Sequence, residues 1–187
     1  DYGIGREASN YACVQDRTGI LYFGNAGGLL QYNGTSWSYI PVKNQSLWIK
    51  GLAVSDENVI YAGALGEFGY LQADKTGKLK YVSISDELNG NIDFSDIIRV
   101  WTVKNRVFFQ YEEALFIYSD GELKSILPET SFHISFLIKD ELYIRQRGTG
   151  IMKSEEDTLR LFKGSKFLKD FGVFSMLESL DSNRYLF

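Results

Sequence analysis

One histidine, His133, and one cysteine, Cys13, leave this 187-residue chain few routes to catalysis. Nucleophilic chemistry needs an activated nucleophile beside its base. A lone thiol and a lone imidazole on no recognisable spacing supply neither that dyad nor a His-rich zinc centre. His133 falls in the apolar run 132–136 and reads as a structural residue beside a strand. Cys13 lies in Ala12-Cys13-Val14 and reads as a buried small hydrophobe, and a single thiol excludes an intrachain disulfide. Carboxylates are more plentiful. Glu112-Glu113 and Glu155-Glu156-Asp157 are neighbours in predicted loops, where side chains diverge into solvent, whereas a two-carboxylate glycosidase site needs groups that face each other. Asp56, Asp74 and Asp120 offer oxygen ligands, but no loop carries the alternating Asp/Asn run of a calcium loop, so they read as turn formers. No catalytic residue, metal ligand or cofactor is expected.

Recognition chemistry remains, and it depends on the elements that would position it. Residues 15–37, QDRTGILYFGNAGGLLQYNGTSW, hold a polar turn at Asp16-Arg17-Thr18-Gly19, a strand at 20–23, a Gly-rich loop at 24–28 and a strand at 29–32. A turn at Asn33-Gly34 then leads to a strand carrying Trp37 and Tyr39. Asn-Gly between apolar runs marks a hairpin, because both residues tolerate the positive φ of tight turns. A looser version of this meander returns along the chain. The second-strand aromatics Tyr22, Tyr61, Phe108, Tyr143 and Tyr185 are spaced by 39, 47, 35 and 42 residues. Four short strands on a period near 40 are the signature of a β-propeller blade.

The expected fold is all-β, a partial β-propeller of four-stranded antiparallel blades with about four and a half blades present. Blade 1 covers 11–41, blade 2 covers 48–84, blade 3 covers 98–127, blade 4 covers 135–169, and 173–187 starts a fifth. The polar insertion 85–96 accounts for the longest interval. Residues 1–10 read as a lead-in, and the basic stretch 163–169 as a solvated hairpin. Aromatic content of 15%, with 18 Gly against 2 Pro, favours strands, and no segment sustains a 3.6-residue apolar stripe. A single sandwich or barrel would also show many strands, but has no reason to repeat the parts in one order.

In a propeller, the loop joining the second and third strands of a blade lies on the face where the chain enters the next blade. Those loops here carry Asn25, Glu67, Tyr111 with Glu112, and Arg145 with Arg147. They vary in charge and size on a repeated scaffold, as a recognition surface requires. These six are the expected ligand-binding residues. Alternation along an extended segment is expected to put Arg145 and Arg147 on one side, where they could meet a carboxylate or sugar hydroxyls.

A net charge of −4 argues against a nucleic-acid face, and no run approaches the ~18 apolar residues of a membrane span. The start at Asp1 without a Met reads as a processed or excised piece. Open blade edges near 11–15 and 184–187 are expected to pair with another copy or be covered by residues 1–10. Sequons at Asn33-Gly34-Thr35 and Asn44-Gln45-Ser46 carry little weight.

The opening residues Asn10-Tyr11-Ala12, Gln15-Asp16, Gly19-Ile20, Tyr22-Phe23-Gly24-Asn25, Gly28-Leu29-Leu30, Tyr32-Asn33-Gly34 and Trp37 resemble the first blade of the two-component-regulator propeller sensors. GALGEFGYL at 63–71 resembles their second blade, and Gly148-Thr149-Gly150-Ile151 the Gly-bearing loop of a later one. That resemblance implies the extracytoplasmic, periplasmic sensor region of a bacterial membrane-anchored regulator with a histidine kinase or helix-turn-helix output. It implies a non-enzymatic role in binding a small molecule or carbohydrate, with membrane attachment only through parts of the chain absent from this sequence. A propeller lyase or glycoside hydrolase, and a protein-docking platform, are the alternatives.

Overall fold

The computed structural model describes residues 9–43, 48–88, 90, 94–178 and 185–186. It contains four four-stranded antiparallel meanders. The first runs β1 (Ala12–Gln15), β2 (Leu21–Asn25), β3 (Gly28–Tyr32) and β4 (Trp37–Pro41), and the second β5 (Gly51–Val54), β6 (Ile60–Ala64), β7 (Glu67–Ala73) and β8 (Leu79–Ser83). The third runs β9 (Arg99–Val103), β10 (Arg106–Gln110), β11 (Leu115–Ser119) and β12 (Glu122–Ile126). The fourth runs β13 (Phe132–Ile138), β14 (Glu141–Gln146), β15 (Gly150–Glu155) and β16 (Thr158–Leu161). A two-residue pair, β17 (Leu177–Glu178) with β18 (Tyr185–Leu186), follows. The remainder of the lead-in, the sequon at 44–46, and residues 179–184 and 187 of the fifth unit lie outside the described residues.

Turn chemistry sets each meander. At the first turn one Asp16 carboxylate oxygen accepts from the Thr18 and Ile20 amides at 2.8 and 2.9 Å and from the Thr18 hydroxyl at 2.7 Å. Asp74 repeats this with Thr76 and Lys78. Asp120 instead adopts a positive φ of 53° beside Gly121. All three aspartates terminate strands as local acceptors.

The core lies between blades rather than inside one. Tyr22, Leu29 and Ile40 of blade 1 pack on Leu52, Ile60 and Leu71 of blade 2. Phe68 of blade 2 meets Phe109 and Phe116 of blade 3, with ring centroids 4.5 and 5.0 Å away. Phe108 and Ile117 of blade 3 join Phe132, Leu142 and Ile144 of blade 4. Sheet stacks on sheet, and the first strand of each is innermost: β1 packs on β5, β5 on β9, and β9 on β13. Equivalent glycines permit the closest approaches. A Cβ on Gly24 would sit 2.4 Å from the Ile49 carbonyl, and one on Gly63 2.3 Å from Ile97 Cγ2.

Two local expectations are corrected. Cys13 is exposed, because strand alternation sends Ala12 and Val14 to the packed face and Cys13 to the opposite one. Residues 163–169 form no hairpin. They hold a 3-10 turn at Ser165–Leu168, fixed where the buried Ser165 hydroxyl accepts from the Ile151 amide at 3.1 Å and donates to its carbonyl at 3.0 Å.

Candidate functional site

Each loop between the second and third strands is fastened by its backbone to the segment entering the next blade. Ala26 bridges Trp48 and Leu65 bridges Asp96; the Phe132 amide donates to the Glu112 carbonyl at 2.7 Å, and the Gly148 amide to the Lys169 carbonyl at 3.1 Å. These loops and the starts of the inner strands therefore share one face.

The six residues expected on that face divide into two groups. Asn25, Glu67 and Arg145 are buried and lie in strands rather than in the loops that the sequence pattern gives them. Asn25 closes β2 and its side-chain amide donates to the Ser9 carbonyl at 2.8 Å and to Asn10 Oδ1 at 3.0 Å, anchoring the segment that enters β1. Glu67 opens β7, and its Oε1 accepts from the Tyr81, Ser83 and Ser85 hydroxyls at 3.1, 2.7 and 2.8 Å. Arg145 lies within β14 with Nη2 donating to the Lys169 carbonyl at 3.2 Å. Its Nε is buried with no hydrogen-bond partner among the described residues.

Tyr111, Glu112 and Arg147 are brought together. Arg147 Nη2 lies 3.5 Å from Glu112 Oε1, which links the loop of blade 4 to that of blade 3. With Tyr111, His133 and Asp96 they line a cavity of about 230 Å³. A β-bulge places His133 there: pairing passes from Phe132↔Gln146 to Ser135↔Ile144, leaving His133 and Ile134 opposite Arg145 alone. Bulges commonly re-aim a side chain beside a functional site. Behind it, Ser135 Oγ accepts from Trp101 Nε1 at 2.8 Å and donates to Gln110 Oε1 at 2.5 Å, which holds the bulged strand against blade 3.

The electrostatics follow from this geometry. Burial lowers the His133 pKa below the ordinary histidine value, and the positive charges of Arg147 and then Arg145 lower it further. A hydrogen bond to the Val173 backbone and the charge of Glu112 oppose that trend without reversing it. With the carboxylates of Asp96 and Glu112, the Arg147 guanidinium, the Tyr111 hydroxyl and the His133 ring on its wall, the cavity offers both donors and acceptors and suits a polar, oxygen-rich ligand. Asp96 also bonds Lys50 Nζ, at 2.7 Å.

Lys50 opens onto a second, larger cavity of about 450 Å³ formed by the inner strands, with Cys13, Arg99, Trp101 and Phe174 on its wall. The sequence gives no sign of this cavity, and it reads His133 as a structural residue and not as part of a site. The pattern reads 135–138 as the strand, but β13 begins at Phe132, and a bulge leaves no periodic signal in a run as apolar as FHISFLI. Among the described residues, no group of three or more His, Cys, Asp or Glu is arranged to hold a metal ion.

No protein-family model matches the chain, and no curated protein does. Solved structures do. Virginiamycin B lyase from Staphylococcus aureus superposes with a TM-score of 0.68 at 13% identity, over 95% of this chain and 62% of its own. The extracellular domain of a candidate hybrid two component system from B. thetaiotaomicron gives 0.64 at 19% identity, over 97% of this chain and 25% of its own. The same extracellular domain, described there as from a one component system, gives 0.61 at 21% identity, over 94% and 24%. The chain thus spans less than two thirds of each of these proteins. Four antiparallel four-stranded sheets stacked through their faces, and these neighbours, establish an all-β fold of propeller blades whose structural neighbours include the extracellular domains of sensory systems.

Proposed function

We propose that this chain is the non-enzymatic, ligand-sensing propeller region of an extracytoplasmic, periplasmic part of a bacterial membrane-bound signalling protein. On this reading a small molecule or glycan is bound on the loop face. The observation that carries it is the meeting of Tyr111 and Glu112 from blade 3 with His133 and Arg147 from blade 4 around one cavity. Repeated strands build the scaffold, and unlike polar groups from successive blades supply the contacts. Structural neighbours that are extracellular domains of sensory systems support the setting. No helix among the described residues is long and apolar enough to cross a membrane.

A lyase among the neighbours raises an enzymatic reading. His133 argues against it. One ring nitrogen bonds the Val173 backbone, and Nδ1 is buried with no partner among the described residues, so neither nitrogen is presented as a base. Glu112 is engaged with Arg147.

Thermal-shift screening of neutral and acidic mono- and oligosaccharides, followed by calorimetry on the hits, tests the proposal. A ligand should bind at least tenfold more weakly, about 1.4 kcal/mol, to Arg147→Ala and Tyr111→Ala. Binding should be unchanged in the exposed turn variant Lys75→Ala, and mass spectrometry should recover the ligand intact. Unchanged affinity in both site variants, or a product of altered mass, would overturn it.

A further inference from the structure

We infer that the cavity among the inner strands is a second binding site, built for a small organic anion such as a sugar acid, with Arg99 as its anchor. This site is separate from the loop-face cavity and does not rest on it.

The first argument is charge. The lining of this cavity includes two cations, Lys50 and Arg99, and no carboxylate. Lys50 is compensated, since its Nζ lies 2.7 Å from Asp96 Oδ2 and 5.4 Å from the Trp48 ring centroid. Arg99 is not: among the described residues, no ion pair or side-chain hydrogen bond engages it, although it sits at the start of β9 on the cavity wall. The guanidinium of a residue that lines a cavity, with no counter-ion of its own, is a ready donor to a carboxylate or sulfate, which it grips through two parallel hydrogen bonds.

The second argument is shape and surface. At about 450 Å³ the cavity falls within the about 300–1,000 Å³ typical of small-molecule sites. Trp101 forms part of its wall, and the ring is fixed because its Nε1 donates to Ser135 Oγ at 2.8 Å. Phe174, 76% exposed, forms another part and is braced edge-on against the His133 ring at 5.2 Å. Aromatic surfaces with an unpaired cation and the Ser175 hydroxyl match a molecule that has one flat apolar or sugar face and one negative group. A neutral sugar could accept from Arg99 but would leave its charge uncompensated.

Cys13 provides a reporter, because it is the only cysteine in the chain, is exposed, and lines the same cavity. Burial raises its thiol pKa somewhat, so alkylation by N-ethylmaleimide is best followed at pH 8.5, by intact mass, at constant ionic strength. Sodium glucuronate should slow alkylation at least threefold, and glucose at equal concentration should not. Arg99→Gln, an exposed substitution that leaves the thermal midpoint unchanged, should abolish the protection, whereas Arg99→Lys should restore part of it. Tyr111→Ala should leave it intact, which separates this site from the loop-face one. Equal protection by glucose, protection that survives Arg99→Gln, or no protection by glucuronate would overturn the inference.

Discussion

Replacing Glu67 separates a packing role from a ligand-binding one. Glu67 is 3% exposed, and one carboxylate oxygen takes three hydroxyl donors, from Tyr81, Ser83 and Ser85. A hydrogen bond to a charged acceptor contributes about 1.5–3 kcal/mol, and a buried donor left without a partner costs about 1–3 kcal/mol. The three contributions do not add fully in Glu67→Ala, because the Ser83 and Ser85 hydroxyls, 3.2 Å apart, can still bond each other and both residues are half-buried. A net loss of about 3 kcal/mol is expected. For a chain of this size 1 kcal/mol moves the midpoint by about 2–4 °C, so thermal unfolding followed by circular dichroism should fall by about 6–12 °C. Glu67→Gln keeps an acceptor oxygen and should lose about half as much. Ligand affinity measured well below the midpoint should be unchanged in both. A variant with an unaltered midpoint and lost binding would refute the reasoning and return Glu67 to the recognition surface.

Gly24→Ala and Gly63→Ala should each destabilise by about 1–3 kcal/mol, read from denaturant midpoints, because the new Cβ strikes the Ile49 carbonyl in one case and Ile97 in the other. Asp16 predicts an acid limb. Burial raises its pKa, but the hydroxyl and amide of Thr18, the Ile20 amide and the Tyr22 hydroxyl together hold it below the ordinary aspartate value. The folded carboxyl therefore binds protons more weakly than the unfolded one. Its stabilisation is fully present above about pH 4 and lost as pH falls from there through the folded pKa, so Asp16→Asn should flatten the stability profile below pH 4. Arg147→Ala should raise the pKa of His133 toward the ordinary histidine value, measured on its single Hε1 resonance.

Much of the fold was legible because hairpin chemistry is local. Asn33-Gly34, Asp74 and Asp120 announce their turns, and alternating aromatics such as Tyr22 and Phe108 announce the strands between them. Trp37 stacks on Tyr32 with centroids 4.6 Å apart yet stays 42% exposed, since it lies on the outermost strand of its blade. The candidate site was legible in part. Tyr111, Glu112 and Arg147 lie in turns, where a polar side chain reaches solvent. Asn25 and Glu67 are the end residues of strands and Arg145 is next to last in one, and there the same residue types turn inward and serve the scaffold. A loop boundary uncertain by one or two residues decides between these outcomes. Arg99 and Trp101 escaped because sharing a cavity is a property of stacked inner strands, which no local pattern records.

The loop-face cavity is tested most directly by the Hε1 resonance of His133, the one histidine of the chain, during titration with a ligand found by screening. Binding between Glu112, His133 and Arg147 should shift this resonance in a saturable way, and an anionic ligand should raise the His133 pKa as it offsets the charge of Arg147. A ligand that binds the protein while leaving both the resonance and its titration unmoved would contradict the assignment of this cavity as the recognition site.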